Sequence, residues 1–183
     1  MAVDRDHVLR SAAALLTHRA TATMDEVAKA AGISRATLHR HFAGRDALVR
    51  ALETLGLGEC EAALDRARLA DGNASDAVRR LIREIEPAAG LLGFLVTENQ
   101  LFEGEERNAG WERLDARISA LFRRGQDSGE FRIDLSAVWL TEALYGLVGS
   151  AAWAVMDGRV AAKDFETMIV ELLLGGAIRR TQS

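Results

Sequence analysis

Arg35, Thr37, His39 and Arg40 crowd hydrogen-bond donors into six residues of this 183-residue chain. Their types suit nucleic-acid chemistry. An arginine guanidinium is a planar fork that matches O6 and N7 of guanine, and the methyl groups of Ala36 and Thr37 suit a thymine methyl. His39 and Arg40, with Arg45 a few residues on, suit phosphate oxygens. Leu38 and Phe42 give the same stretch one apolar edge at helical spacing, so the donors would project from a short, half-buried helix. His41 reads either as a further polar contact or as a brace within the fold. Lys29 reads as a solvated side chain.

The residues upstream explain how such a helix would be held. Thr23 and Glu26 have capping-box spacing, in which the hydroxyl takes the Glu26 amide and the carboxylate returns to the Thr23 amide. Val27, Ala28 and Ala31 then form an apolar stripe. Gly32 supplies a positive φ without steric cost and ends that helix. Ile33 fills the angle that follows, and Ser34 caps the next helix. A helix, a three-residue turn and a second short helix, followed at once by a third, form a helix-turn-helix. The first turn of its second helix, at Arg35, Ala36 and Thr37, is expected to face base edges in the major groove. His39, Arg40, Arg45 and the Thr23 cap are expected at phosphates.

Thr23, Val27, Ala28, Ala31, Gly32, Ile33, Ser34, Thr37, Leu38, His41, Phe42, Arg45 and Leu48 together resemble the DNA-binding region of the tetracycline-repressor (TetR) family of bacterial transcriptional regulators. The resemblance covers roughly residues 5–52. The rest of the chain is similar only in size, helicity and acidity. Three positions depart from the family's pattern. His39 stands where the family usually has tyrosine, and imidazole is shorter than phenol. Arg45 stands where it usually has lysine, which keeps the charge. The segment Thr17–Ala22 lacks a glycine that the family often places there.

The overall charge of −4 does not suggest a DNA ligand, but its distribution does. Residues 1–50 hold eight Lys or Arg against five Asp or Glu, with all four histidines. Residues 51–183 hold fifteen against twenty-two. A basic head on an acidic body is the footprint of a chain that meets phosphate at one end only. A hydrophobic share of 49% supports a packed core. One proline and repeated Ala, Leu, Arg and Glu favour helix. The single cysteine, Cys60, excludes an intrachain disulfide framework and fits a reducing cytoplasm. No signal segment is evident at the N-terminus, and no uninterrupted apolar run approaches the ~20 residues of a membrane helix. The expected location is therefore the cytoplasm, with no membrane partner.

These features predict an all-α chain of about nine helices. A helix-turn-helix domain occupies residues 1–50, and a helical ligand-binding and dimerisation domain occupies residues 51–183. The boundary falls inside a long helix that runs from about Arg45 to Arg68, with Gly56 and Gly58 as candidate bends. Val78 to Ile85 marks a helix that Pro87 would kink or end. A short helix is expected around residues 91–102, and further helices over about 108–128, 135–156 and 163–174.

The resemblance implies two properties of the body. The first is a homodimer, formed by the last two long helices through small residues at Ala143, Gly146 and Ser150 and apolar ones at Phe165, Ile169 and Leu172. The second is a pocket for an unidentified small molecule. Phe42 apart, all aromatic residues lie beyond position 90. Phe94, Phe102, Trp111, Trp139 and Tyr145 are candidate lining residues, and Glu98 and Glu142 are candidate partners of a cationic ligand. Each aromatic taken singly fits core packing better than a pocket wall.

Nothing in the chain suggests catalysis. It shows no Gly-rich phosphate loop, no nucleophile elbow and no metal-binding His pair, because His39 and His41 point apart on a helix. Neither a metal nor a cofactor is expected. The reading is a ligand-responsive transcriptional regulator, a repressor that a small molecule releases from double-stranded operator DNA. The competing reading is a small-molecule-binding or interaction protein with a vestigial head. The sequence does not disclose the operator, the ligand or the regulated genes.

Overall fold

Side chains at helix starts set most of the element boundaries. Asp4, Thr23, Ser34, Asn73, Asn108 and Ser136 each accept a hydrogen bond from a first-turn amide of the helix that follows. Each cap satisfies a donor that the helix cannot. The computed structural model describes residues 4–98, 101 and 108–178. Among these are eight α-helices: α1 (Arg5–His18), α2 (Met24–Ala30), α3 (Arg35–His41), α4 (Arg45–Ala67), α5 (Ala74–Leu95), α6 (Ala109–Asp127), α7 (Ala137–Met156) and α8 (Phe165–Ala177). A 3-10 turn, Ala162–Asp164, leads into α8. The only extended pairing among the described residues is a single antiparallel bridge between Phe131 and Ile178.

Helices α1 to α3 and the start of α4 form the head. Val8, Ala12, Leu16, Val27, Leu38, Phe42, Leu48 and Val49 are buried there. Helix α4 runs unbroken through Gly56 and Gly58 into the body, so the expected bend is replaced by one helix shared between the two parts. In the body α5 is central and packs on α1, α4, α6, α7 and α8.

Helix α5 also corrects the expected helix count. It continues through Pro87, so the two helices expected on either side of that residue are one. Proline in a helix interior loses one hydrogen bond and costs about 3 kcal/mol. Here Pro87 lies on the exposed face, while Ile82, Ile85, Ala88, Ala89, Leu91, Leu92 and Leu95 are buried on the other. Burial at roughly 1.5–3 kcal/mol per large aliphatic side chain outweighs that penalty. The expectation of a short helix ending near Phe102 fails for residues 91–95, and Phe102 itself lies outside the described residues.

Helix α7 has 20 residues, and an 18-residue stretch of it reaches a mean hydropathy of 1.2, long and apolar enough by composition alone to cross a membrane. Thr141, Glu142 and Ser150 interrupt it, so it is not one unbroken apolar run. Leu140, Thr141, Leu144, Val148, Ala151 and Ala152 are buried against the bundle. The opposite face is open to solvent.

Glu130 ties the body together at the start of α5. Its carboxylate accepts from the amides of Ala74 at 2.9 Å and Ser75 at 3.1 Å. Burial alone would raise its pKa, but these hydrogen bonds, with a further one from Ser128, hold it below the ordinary carboxylate value. A depressed pKa means that the stabilisation is present above the unfolded-state value and is lost as pH falls through the folded one. Glu130→Ala should therefore cost about 1 kcal/mol near neutral pH, the usual worth of a helix cap. Denaturant titrations of both proteins should show this gap closing as the pH is lowered past the carboxylate range.

Candidate nucleic-acid interface

The turn between α2 and α3 forms as the residue types dictate. The Ile33 amide donates to the Ala28 carbonyl at 3.0 Å, and the Gly32 amide donates to Lys29 at 3.1 Å. This pair of bonds is a Schellman closure, and it requires the left-handed backbone of Gly32, whose φ is 66°. At the other end of α2 the capping box is complete. Thr23 N–H donates to Glu26 Oε2 at 2.7 Å, and Glu26 N–H donates to Thr23 Oγ1 at 3.3 Å. The Thr23 backbone hydrogen bond is the largest cause holding the Glu26 carboxyl below its ordinary pKa. The Thr23 amide and hydroxyl therefore serve the cap.

Helix α3 buries Leu38 and turns its donors outward. Arg35, Ala36, His39 and Arg40 are exposed, and Thr37 is half-buried. Ser34 Oγ and Thr37 Oγ1 lie 2.9 Å apart, and Arg40 Nη2 donates to Thr37 Oγ1 at 3.2 Å. Arg35 is held by Asp25 of α2 through two contacts of 3.3 Å. Both side chains are more than 60% exposed, so this pair is worth at most about 1 kcal/mol and yields readily to a base. His41 lies beside Phe42, with ring centroids 6.3 Å apart, and Arg5 covers the Phe42 ring from 5.1 Å. Of the expected DNA-facing residues, Arg35, Ala36, Thr37, His39 and Arg40 share this open helix.

Arg45 does not join them. Its guanidinium donates to the carbonyls of Ala22 at 3.2 Å and Ala20 at 2.8 Å, and to Glu98 Oε1 at 2.8 Å. Its charge is already matched within the chain, at the seam between head and body. Glu98 correspondingly faces Arg45.

In the body the expected pocket residues separate into two groups. Phe94 and Trp111 are buried and Tyr145 is half-buried, all inside the bundle. Trp139 is 59% exposed, and it shares the outer face of α7 with exposed Glu142, so the structure places both away from the interior. Two acids not singled out in the sequence are bonded to the interior rings. Glu53, only 2% exposed, accepts from Trp111 Nε1 at 2.7 Å. Asp115 accepts from the Tyr145 hydroxyl at 2.9 Å. Burial first, and then the Asp115 charge, raise the Tyr145 pKa, so its phenol remains a donor. Glu53 was legible in principle, since it sits on the apolar stripe of Val49, Leu52, Gly56, Leu57 and Cys60. A groove of about 480 Å³ at the end of α4 remote from the head touches none of these residues. Its arginines are bonded to Asp65, Leu69, Gly72 and Asp71.

The expected dimer residues divide in the same way. Phe165 and Ile169 are 2% and 1% exposed and belong to the protomer's own core, which corrects their assignment to an outer face. Gly146 and Ser150 are exposed, Ala143 is half-buried, and Leu172 is 67% exposed. With Trp139, Glu142 and Trp153 they form an open face on α7 and α8.

A buried three-helix core, a glycine-closed turn and an exposed helix bearing arginine at its first turn define a helix-turn-helix DNA-binding protein. The profile of bacterial regulatory proteins of the tetR family matches residues 8–52. The HTH-type transcriptional regulator NfxB of Pseudomonas aeruginosa is 32% identical over 180 residues, covering 97% of this chain and 96% of NfxB. The HTH-type transcriptional repressor LfrR of Mycolicibacterium smegmatis is 25% identical over 171 residues, covering 93% of this chain and 89% of LfrR. The crystal structure of LfrR in complex with proflavine superposes with a TM-score of 0.79 at 24% identity, covering 96% and 97% of the two chains. That of AibR in complex with isovaleryl coenzyme A and operator DNA gives 0.74 at 20% identity, covering 94% and 98%. The chain belongs to the tetR family of bacterial regulatory proteins, and it is a DNA-binding transcriptional regulator.

If Arg35 reads a base and Arg40 a phosphate, their alanine variants should differ in kind. Arg35→Ala should relax base preference at one position per half-site and cost ~1–3 kcal/mol. Arg40→Ala should weaken all sequences alike and lower the salt slope by roughly one. Binding-site selection with each variant, followed by salt titration, checks this; identical sequence profiles would remove Arg35 from base reading.

Proposed function

We propose that the chain is a homodimeric cytoplasmic repressor that a cationic, amphipathic small molecule releases from its operator. The division near residue 50, inside α4, separates a reading head from a sensing and dimerising body. The open face of α7 and α8 is the observation that carries the dimer. Val138, Trp139, Trp153 and Leu172 are each more than half exposed there, on two helices whose other faces are core. An apolar face of this kind marks a protein contact, and a two-fold contact would present two heads to successive major grooves about 34–36 Å apart.

The ligand reading draws on the body's interior and on the relatives. Glu53 and Asp115 are carboxylates bonded to the rings of Trp111 and Tyr145, on α4, α6 and α7. Such a site favours a cation with an aromatic frame. LfrR binds proflavine and AibR binds isovaleryl coenzyme A, so related folds accept small molecules. Release follows if the ligand prefers a body conformation whose heads no longer match the operator.

Gly146 offers a clean test of the dimer. A Cβ built there meets nothing within 4 Å, so the protomer itself tolerates a side chain. Gly146→Glu and Leu172→Glu should each yield folded monomers, because an unpaired charge buried in the interface costs several kcal/mol. Sedimentation velocity with circular dichroism checks this, and a folded variant that still dimerises would move the contact elsewhere.

Trp111 offers a test of the ligand. In a Trp139→Phe/Trp153→Phe background it is the sole indole in the chain. Proflavine and other cationic aromatic dyes should quench its emission, raise the melting temperature and dissociate the operator complex over one concentration range. Glu53→Gln should weaken cationic compounds more than neutral ones. Tight quenching with unchanged operator affinity would instead favour a carrier with a vestigial head.

A further inference from the structure

Head and body meet at a seam that the function above does not explain. Arg45 is the first residue of α4, and its guanidinium lies where three elements converge. It donates to Ala20 and Ala22 in the α1–α2 loop and to Glu98 in the turn that ends α5. The Glu98 amide donates to the Leu95 carbonyl at 3.1 Å, so its backbone is anchored to the last turn of α5. The Arg45 side chain is 35% exposed and that of Glu98 only 14%. This is a charge-assisted bond shielded from solvent, unlike the exposed ion pairs elsewhere on the surface. A planar fork can satisfy several acceptors at fixed angles, which an ammonium cannot do.

Close by, α1 and α5 approach closely. A Cβ at Gly90 would lie 2.7 Å from Thr17 Cγ2, so a larger residue there would force the Thr17 side chain to shift. The two contacts sit at different places, at Gly90 within α5 and at Glu98 just beyond its end. Together they fix both the approach and the rotation of the head. A further ion pair across the seam, Arg10 with Glu59, is 3.8 Å long and exposed.

We propose that Glu98 is a positioning residue for DNA binding, acting through Arg45. The pair ties the α1–α2 loop to the end of α5 and so sets the angle at which α3 is presented. Arg45 therefore acts within the protein and not on a phosphate. Any displacement of the last turn of α5 is delivered to the head through this bond. The consequence for half-site spacing rests on the dimer reading, whereas the tie itself does not.

Backbone ¹⁵N relaxation on the full chain, without DNA, tests the tie directly. In the wild type, amides of α1 to α3 should report the same tumbling time as those of α5 to α8. In Glu98→Ala and in Arg45→Ala the head amides should gain a faster independent component, while their chemical shifts stay those of a folded head. Glu98→Gln, which keeps a neutral acceptor, should fall between. A head that tumbles with the body in all three variants overturns the proposal.

A set of operator duplexes, with the half-sites moved apart or together by one base pair, supplies the second measurement. The wild type should discriminate among spacings. Glu98→Ala should lose about fivefold or more of that discrimination while keeping the base preference within each half-site. The Arg45→Ala/Glu98→Ala double variant should be no worse than either single one. If Glu98→Ala instead tightens binding to every spacing and steepens the salt slope by about one, the freed Arg45 is reaching phosphate and the proposal is wrong. A wild type indifferent to spacing counts against the two-headed reading alone, since the relaxation measurement decides the tie by itself.

Discussion

Helix α4 packs against head and body at once, and that double duty constrains everything around it. Leu48, Val49 and Leu52 are buried near its start, and Leu57, Cys60, Ala63, Leu64 and Ala67 are buried along the rest. A helix packed so closely at both ends transmits rotation more readily than it bends. The head is thus carried on a stiff lever whose angle depends on how the body packs. The contacts at Gly90 and Glu98 join the head to α5 and to the turn that follows it.

The head could be read from sequence because its physics is local. The capping box at Thr23 and Glu26, the left-handed glycine at 32 and the cap at Ser34 each act within four residues, and each is formed as the residue types require. The body resisted the same treatment because its decisions are made by tertiary contacts. Pro87 looks like a helix end from its neighbours alone. It is tolerated because the buried face of α5 touches five other helices and overrides one missing hydrogen bond. The face of α7 was ambiguous for a related reason. Aromatic and small residues at helical spacing point both inward and outward, and only the packing of α7 on α5, α6 and α8 decides that Trp139 faces out while Tyr145 faces Asp115.

Charged residues were the hardest to place. Arg45 and Glu98 lie 53 positions apart, and no spacing rule links them. Read separately, one is a cation beside a DNA-binding motif and the other an acid among apolar residues, and each suggests a ligand. Together they neutralise one another. Glu53 shows the opposite case. A carboxylate on an apolar stripe is a visible anomaly, and its burial against Trp111 accounts for it. The general lesson is that a charge whose partner is remote in sequence will be credited with an external partner until the fold is known.

Cys60 carries a consequence of another kind. The thiol is fully buried, and its pKa is pushed up to about 12, by burial first and then by the charges of Glu59 and Glu61. Only a thiolate reacts quickly with peroxides, disulfides or electrophiles, and here almost none exists at neutral pH. The one thiol of the chain should therefore be a poor target for peroxides and alkylating reagents, and modification there would need the bundle to open first.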